Sequence, residues 1–384
     1  MRRYWLLFAQ AVTVALALFM VVTAVRPDWV RALRVPAQGA TVADSVQVRQ
    51  APLLAPTAGS YRDAAGRAIP SVVNILTSKS MGKNHPLLRD PFFRRFFGDR
   101  IPQQDQSSLG SGVIVSPDGY ILTNNHVVEA ADEIEVVLAD GRKAPAVLVG
   151  TDPETDLAVI RIKLANLPAI VLGRAEQARV GDVVLAIGNP FGVGQTVTMG
   201  IISALGRTNL RINQFENFIQ TDAAINFGNS GGALIDTNGN LLGINTAIYS
   251  QTGGSVGIGF AIPVSTAKTV MEAIIRQGRV VRGWIGIESQ DITPELAQSF
   301  GLPVEEGALI AGVVEGGPAH RAGLLPGDIL LTVAGKRITN TADMLNAVAE
   351  LPPGKQARMT LMRRNRAHAV NIEVGVRPPP PRVR

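Results

Sequence analysis

The chain has 384 residues, 46% of them hydrophobic and 18% charged, which is the composition of a globular protein with room for two or three cored domains. It contains no cysteine, so disulfides are excluded and its stability cannot depend on oxidation. A net charge of +6 arises from scattered or terminal basic residues such as Arg363-Arg364-Asn365-Arg366, with no recognition helix or aromatic platform beside them; nucleic-acid binding is therefore not the reading.

Taken in chain order, Arg2 and Arg3 precede Tyr4–Val25, a 22-residue run without a charge. At 1.5 Å per residue such a helix spans roughly the ~30 Å hydrocarbon core of a bilayer, and it exceeds the ~7–15 residues of a signal-peptide core. Residues 1–25 are expected to form a cytoplasmic stub and a retained transmembrane anchor. Residues 26–60 are rich in Ala, Val, Pro and Gln without a sustained period and read as a linker. From Tyr61 the chain leads into a first strand at Ser71-Val72-Val73-Asn74-Ile75. A polar segment follows that carries Phe92-Phe93-Arg94-Arg95-Phe96-Phe97, whose rings are expected to meet the barrel, another subunit or the bilayer surface.

Between Gly110 and Ile262 short apolar runs alternate with turns, at Gly112–Val115, Ile134–Leu138, Ala144–Val149, Val183–Ile187 and Ile258–Ala261. That spacing predicts a mainly β architecture of two six-stranded barrels. Three chemical motifs lie inside it. His126 follows the strand Tyr120-Ile121-Leu122-Thr123; of the four histidines, His85 sits in a polar loop and His320 and His368 fall in a later domain. Asp156 abuts the apolar run Leu157-Ala158-Val159-Ile160, whereas Asp152 precedes a proline and reads as a turn former. Ser230 lies in Gly228-Asn229-Ser230-Gly231-Gly232, a turn whose backbone N–H groups can point at an attacked carbonyl. A serine hydroxyl needs a base within reach, and that base needs an acid to hold its tautomer. The pentapeptide also fits the nucleophile elbow of α/β-hydrolases, but there the order is Ser, acid, His and a helix follows. Here the order is His126, Asp156, Ser230, and Asn238-Gly239 between two apolar runs signals a hairpin instead.

The stretches Thr123-Asn124-Asn125-His126-Val127-Val128, Asp156-Leu157-Ala158-Val159, Gly188-Asn189-Pro190-Phe191-Gly192, Gln220-Thr221-Asp222-Ala223-Ala224-Ile225-Asn226 and Gly228–Gly232 make residues 70–376 similar to the HtrA/Deg family of serine proteases. The resemblance implies a chymotrypsin-like double β-barrel over residues 61–278, a His126–Asp156–Ser230 triad, and an oxyanion hole built on the N–H groups of Gly228 and Ser230. The floor of the primary specificity pocket falls at Ala224, which carries no charge, so small aliphatic residues such as Val, Ala or Ile are expected before the scissile bond. Phe227 is placed at the pocket rim, and packing inside the barrel is its plainer role. The family assembles as trimers, with Tyr61 a candidate contact, and relays activation through an arginine in the loop before the nucleophile, for which Arg207 in Ser203-Ala204-Leu205-Gly206-Arg207 is the candidate. The anchor together with one peptide-binding module resembles the membrane-tethered type of the family, with its folded domains in the bacterial periplasm.

Pro263–Gly278 switches to a helical period, closed by Gly278. Residues 279–376 then read as an α+β PDZ domain. Trp284-Ile285-Gly286-Ile287 has the pattern of a carboxylate-binding loop, in which the glycine lets backbone N–H groups converge on a C-terminal carboxylate, and an open strand edge can accept a peptide strand. Ala342–Leu351 is expected to line the groove, with Leu345 and Val348 toward the core. Residues 377–384 form a Pro/Arg-rich tail. The expected function is a serine endopeptidase of the bacterial envelope, activated by C-terminal peptides of misfolded outer-membrane proteins and cleaving a regulatory membrane protein such as an anti-sigma factor. Broad envelope quality control, or a PDZ chaperone whose barrel only holds clients, are the alternatives. No cofactor or metal is called for.

Overall fold

The computed structural model describes residues 2–25, 59–78, 108–129, 131–189, 194–210, 212–226, 228–248, 255–300 and 306–378. It divides into residues 1–45 and 46–384. The first unit holds helix α1 (Arg2–Val25), 24 residues long, with Trp5, Leu7, Phe8 and Met20 exposed. Among the described residues no helix is long and apolar enough to cross a membrane. The transmembrane assignment is therefore not carried by the structure. The Phe92–Phe97 segment and most of the 26–60 linker lie outside the described residues.

The second unit opens with helix α2 (Arg62–Ala68), where the sequence had indicated only a lead-in to the first strand. Ala64 and Ala68 are small enough to let this short helix press into the core, and Tyr61 is half-buried against that core. Six strands follow: β1 (Val72–Ser78), β2 (Ser108–Ile114), β3 (Tyr120–Thr123), β4 (Glu133–Val137), β5 (Lys143–Asp152) and β6 (Leu157–Ile162). They close as a barrel in the order β1-β2-β3-β6-β5-β4. The second barrel is built from β7 (Val183–Gly188), β8 (Thr196–Arg207), β9 (Phe218–Thr221), β10 (Ala233–Ile235), β11 (Leu241–Ile248) and β12 (Gly259–Pro263). Its order, β10-β11-β12-β9-β8-β7, repeats the first one's up to circular shift and direction. Closure removes all free sheet edges from both barrels.

A continuous cluster joins the barrels: Val113, Leu122, Leu157 and Val159 from the first pack with Leu185, Ile187, Ala233 and Ile244 from the second. Burying these side chains fixes the relative placement of the two halves, and the cleft between them inherits that rigidity. The helix predicted after the second barrel spans Val264–Gln277 and ends on Gly278 at φ 71°, a left-handed cap that glycine adopts without strain. Its buried face is Val264, Ala267, Val270, Met271 and Ile274, a stripe at helical spacing that covers the same core.

Past it, β14 (Ile287–Asp291), β15 (Ala308–Val313), β16 (Ile329–Val333), β18 (Gln356–Arg363) and β19 (Arg366–Glu373) form one sheet, with β17 (Lys336–Arg337) beside β16. Gly283–Trp284 (β13) and Gly375–Val376 (β20) pair separately. The helix Thr341–Ala349 starts on Asn340, whose side chain accepts the Asp343 N–H, an ordinary N-cap. Met344, Ala347 and Val348 bury its inner face. Leu345 does not join them: it lines a groove of about 370 Å³ between this helix and β14, correcting the expectation that it faced the core.

This domain is bolted to the first barrel by Arg282, which is almost fully buried. Its guanidinium donates to Asp152 at 2.7 and 2.5 Å and to Glu154 at 3.2 Å, and stacks on the Phe215 ring at 4.4 Å. Arg377 adds a bond to Glu154 at 2.6 Å and lies over the Phe215 ring at 5.3 Å. Removing one partner of a buried pair leaves the other charge without compensation, so Arg282→Ala is expected to lower stability by about 3–5 kcal/mol. Arg282→Met combined with Asp152→Leu should lose clearly less. Urea unfolding of the full chain checks both, and equal losses in the two variants would contradict the reading.

Candidate active site

The five-residue turn Asp152–Asp156 links β5 to β6. Thr155 caps it by donating its hydroxyl to Asp152 Oδ2 at 2.5 Å. The turn ends with Asp156 at φ 59°, a left-handed conformation that Asp tolerates better than most residues. That geometry turns both ends of Asp156 toward the short helix Asn125–Val128, which follows β3. The Asp156 carbonyl accepts the Asn125 N–H at 3.1 Å and the Asn124 side-chain amide at 2.9 Å. Its carboxylate accepts the His126 backbone N–H on Oδ1 at 3.0 Å and meets His126 Nδ1 with Oδ2 at 2.8 Å. A carboxylate only accepts, so Nδ1 must carry the proton and the Nε2 lone pair is left available on a half-exposed ring. Asp152, the competing acid, is committed to Arg282 instead.

Thr246, on β11, completes the cluster and had no sequence signal, because a threonine in a strand of a β protein is unremarkable. Its hydroxyl donates to Asp156 Oδ2 at 2.7 Å, and its carbonyl accepts the Ser230 hydroxyl at 3.3 Å. The structure thus brings His126, Asp156 and Ser230 around one strand residue, with the Ser230 hydroxyl turned to Thr246. The Ser230 turn packs so closely that a Cβ at Gly231 (φ +81°) would stand 2.1 Å from the Ser111 carbonyl oxygen. Glycine is required there by contact as well as by backbone.

Ala224 is half-buried, and its carbonyl accepts from the Thr198 hydroxyl at 2.8 Å and the Asn229 amide at 3.4 Å. Phe227 and the Pro190-Phe191-Gly192 portion of the Gly188–Gly192 motif lie outside the described residues. Arg207 ends strand β8 rather than sitting in a loop, and its Nε donates to Gln220 Oε1 at 2.8 Å.

In the second domain Gly286 adopts φ 75°, with the Trp284 ring packed over it. Among the described residues the Ile285 and Gly286 amides donate to no backbone carbonyl, while their own carbonyls are used by Ala319 and Val314. Two unspent N–H groups thus open beside the start of β14. The groove that continues from there has walls from both domains: Ile287, Leu345 and Asn346 on one side, Asn209, Asn213 and Gln214 on the other. Glu216 shapes that second wall by accepting the backbone N–H groups of Leu210, Ile212 and Asn213. Asn346 reaches across to the Glu216 carbonyl at 3.3 Å.

Comparison with known proteins places these features. Residues 110–244 match the trypsin-like peptidase domain, and residues 283–374 match the PDZ domain. The chain is 44% identical over 344 residues to a probable periplasmic serine endoprotease, DegP-like, of Chlamydia pneumoniae, covering 85% of this chain and 70% of that protein. The solved structure of the HtrA-type protease AlgW with a tripeptide superposes with a TM-score of 0.73 at 53% identity, covering 84% of this chain and 99% of that one. AlgW with a decapeptide gives 0.72 at 56%, covering 84% and 100%. The chain belongs to the HtrA family of serine proteases. As an HtrA protease it is a serine endopeptidase that carries one trypsin-like double barrel and one PDZ domain; His126, Asp156 and Ser230 lie within the part matched to the peptidase domain, and Thr246 stands just past its end.

Proposed function

We propose that His126, Asp156 and Ser230 are the catalytic triad of a membrane-anchored, DegS-like endopeptidase of the periplasm, switched on by C-terminal peptides at its PDZ domain. The observation that carries the reading is the bonded chain from Ser230 through Thr246 and Asp156 to His126. For reaction, the Ser230 hydroxyl leaves the Thr246 carbonyl for His126 Nε2, gives up its proton there and attacks the scissile carbonyl. Asp156 stabilises the resulting imidazolium, and the N–H groups of Gly228 and Ser230 receive the oxyanion. His126 then returns the proton to the departing amine. Ala224 floors an uncharged pocket for small aliphatic residues, with Phe227 at its rim. The Tyr4–Val25 run within α1 is the anchor, and the exposure of Trp5, Leu7, Phe8 and Met20 agrees with a helix that faces lipid.

Support for switching comes from the groove's two owners. A peptide whose carboxylate meets the Ile285, Gly286 and Ile287 amides beside Trp284 would add a strand along β14 and touch Asn209, Asn213 and Gln214. Those residues belong to the loop that bonds the Asp156 turn, through Asn213 to the Thr155 carbonyl and Phe215 to the Glu154 carbonyl. Arg207, on the strand entering this loop, is the relay, and the chain works as a trimer with Tyr61 near the subunit contact. The solved AlgW structures, with peptides of three and ten residues, agree with such a use. Regulated cleavage of a membrane-bound anti-sigma factor is the role that fits one PDZ domain and one anchor.

A free-carboxylate peptide with an apolar last residue is expected to raise kcat/KM about 5–150-fold, and its amidated form should not. Peptide titration against a fluorogenic substrate reads this, and a flat response at saturation would remove the switching proposal. Substrate trapping in membranes with Ser230→Ala then separates the roles: a few captured membrane proteins favour regulated cleavage, a broad catch favours quality control.

A further inference from the structure

The motif Gly110-Ser111-Gly112 on β2 has no part in the triad, yet its buried hydroxyl sits at the junction of the two barrels. Ser111 has no exposed surface. Its hydroxyl donates to the Gly228 carbonyl at 2.5 Å and accepts the Asn189 N–H at 2.8 Å. Its backbone N–H donates to the Ser230 carbonyl at 2.8 Å, and its own carbonyl accepts the Thr123 hydroxyl at 2.7 Å. The flanking glycines permit this approach. A Cβ at position 110 would stand 2.6 Å from the Val127 side chain, next to His126, and one at 112 would stand 2.7 Å from Ile121.

The consequence for the nucleophile turn follows from which peptide planes are held. In the 228–229 plane the carbonyl is bonded by Ser111 Oγ and the N–H of Asn229 by the Asn226 carbonyl at 3.0 Å. In the 230–231 plane the carbonyl is bonded by the Ser111 N–H and the N–H of Gly231 by the Asn245 carbonyl at 2.8 Å. The planes on either side of the 228–229 unit carry the N–H groups of Gly228 and Ser230, and among the described residues neither donates to a backbone carbonyl. The 229–230 plane is held as well, its carbonyl accepting the Gly232 N–H at 2.9 Å, so the carbonyls of Gly228, Asn229 and Ser230 are all clamped while the two oxyanion donors stay unspent. Ser111, from the first barrel, supplies the carbonyl clamps at Gly228 and at Ser230.

From this we infer that Ser111 is a positioning residue for the oxyanion hole: its hydroxyl sets the plane after Gly228 and thereby the aim of the Gly228 N–H. The inference rests on the assignment of Gly228 and Ser230 to the catalytic turn. Loss of a whole oxyanion donor costs ~10²–10³ in turnover, and Ser111→Ala removes one of two bonds that aim a donor. The variant is therefore expected to lose about 10–100-fold in kcat with KM within about threefold of the parent. Affinity for a peptidyl boronate, which places a charged oxygen in the hole, should fall by the same factor as kcat/KM, while the midpoint of the pH profile stays put because the His126–Asp156 bond is untouched. Ser111→Thr, which keeps the hydroxyl, should recover activity. Should Ser111→Ala fail to fold, Ser111→Cys, which keeps a donor at the site but a weaker and somewhat larger one, is read in the same way. Full kcat in the variant, or a kcat loss without weaker boronate binding, overturns the inference. Ser230→Ala run alongside keeps the two readings apart: if it stays active, the turn assignment fails; if it is dead while Ser111→Ala is unimpaired, only the role of Ser111 fails.

Discussion

Ser230→Ala is expected to lower kcat on a peptide substrate by about 10⁶-fold, by analogy with nucleophile removal in another serine protease. Among the described residues the half-buried hydroxyl makes one weak bond, to the Thr246 carbonyl at 3.3 Å, so its loss should change stability by no more than about 1 kcal/mol. The variant should still fold and bind peptides at the PDZ groove, because among the described residues the serine is hydrogen-bonded to none that line that groove. Residual turnover above background would come from the amide donors of the turn, which the substitution leaves in place. Active-site titration with a fluorophosphonate alongside the kinetics checks the assignment. A variant that keeps more than about one hundredth of the parent rate would show that another nucleophile operates.

Asp156→Asn should cost about 10⁴-fold in kcat with little change in size or packing. The Asp156 carboxylate accepts from three donors: the His126 backbone N–H on Oδ1, and His126 Nδ1 and the Thr246 hydroxyl on Oδ2. An asparagine has one acceptor and one donor end. If its NH₂ faces the ring, Nδ1 becomes the acceptor, the proton moves to Nε2 and the base is lost. If the NH₂ faces the helix, it opposes the His126 N–H and loosens the turn. Either orientation disables His126, so the loss should be visible in kcat far more than in KM. Retention of activity would mean that Asp156 only braces the turn. Thr246→Val removes the third donor without disturbing the other two, and a smaller loss than for Asp156→Asn would rank the contacts.

The fold was legible in outline because β-barrels advertise themselves through short apolar runs and turn residues. Val183–Ile187 was read as a strand that the structure extends by a single residue, to Gly188. The helix closing on Gly278 was visible from its period and its cap. Local pattern was less informative at Arg62–Ala68, where a helix of seven residues has too few turns to establish a period. It also misplaced Leu345. On an exposed-to-groove helix face, a leucine waiting for a ligand has the same spacing as one packed in a core. Arg207 was placed in a loop although it ends a twelve-residue strand, since a polar strand end and a loop differ little in composition.

What the chain alone determined is the chemistry on offer: a hydroxyl on a glycine turn, an imidazole after a strand and an acid before one, in a diagnostic order, followed by a glycine loop with the pattern expected for carboxylate binding. These are properties of neighbouring residues, and adjacency in sequence is enough to express them. Only the tertiary structure decided how they are joined. Thr246 touches both Asp156 and Ser230, Ser111 holds the carbonyls of a turn more than a hundred residues away, and Arg282 grips the turn that bears Asp156. Each of those contacts depends on the closure and mutual packing of separate domains. Threonine, serine and arginine acquire such roles from where burial and unsatisfied partners place them, and no local pattern records that.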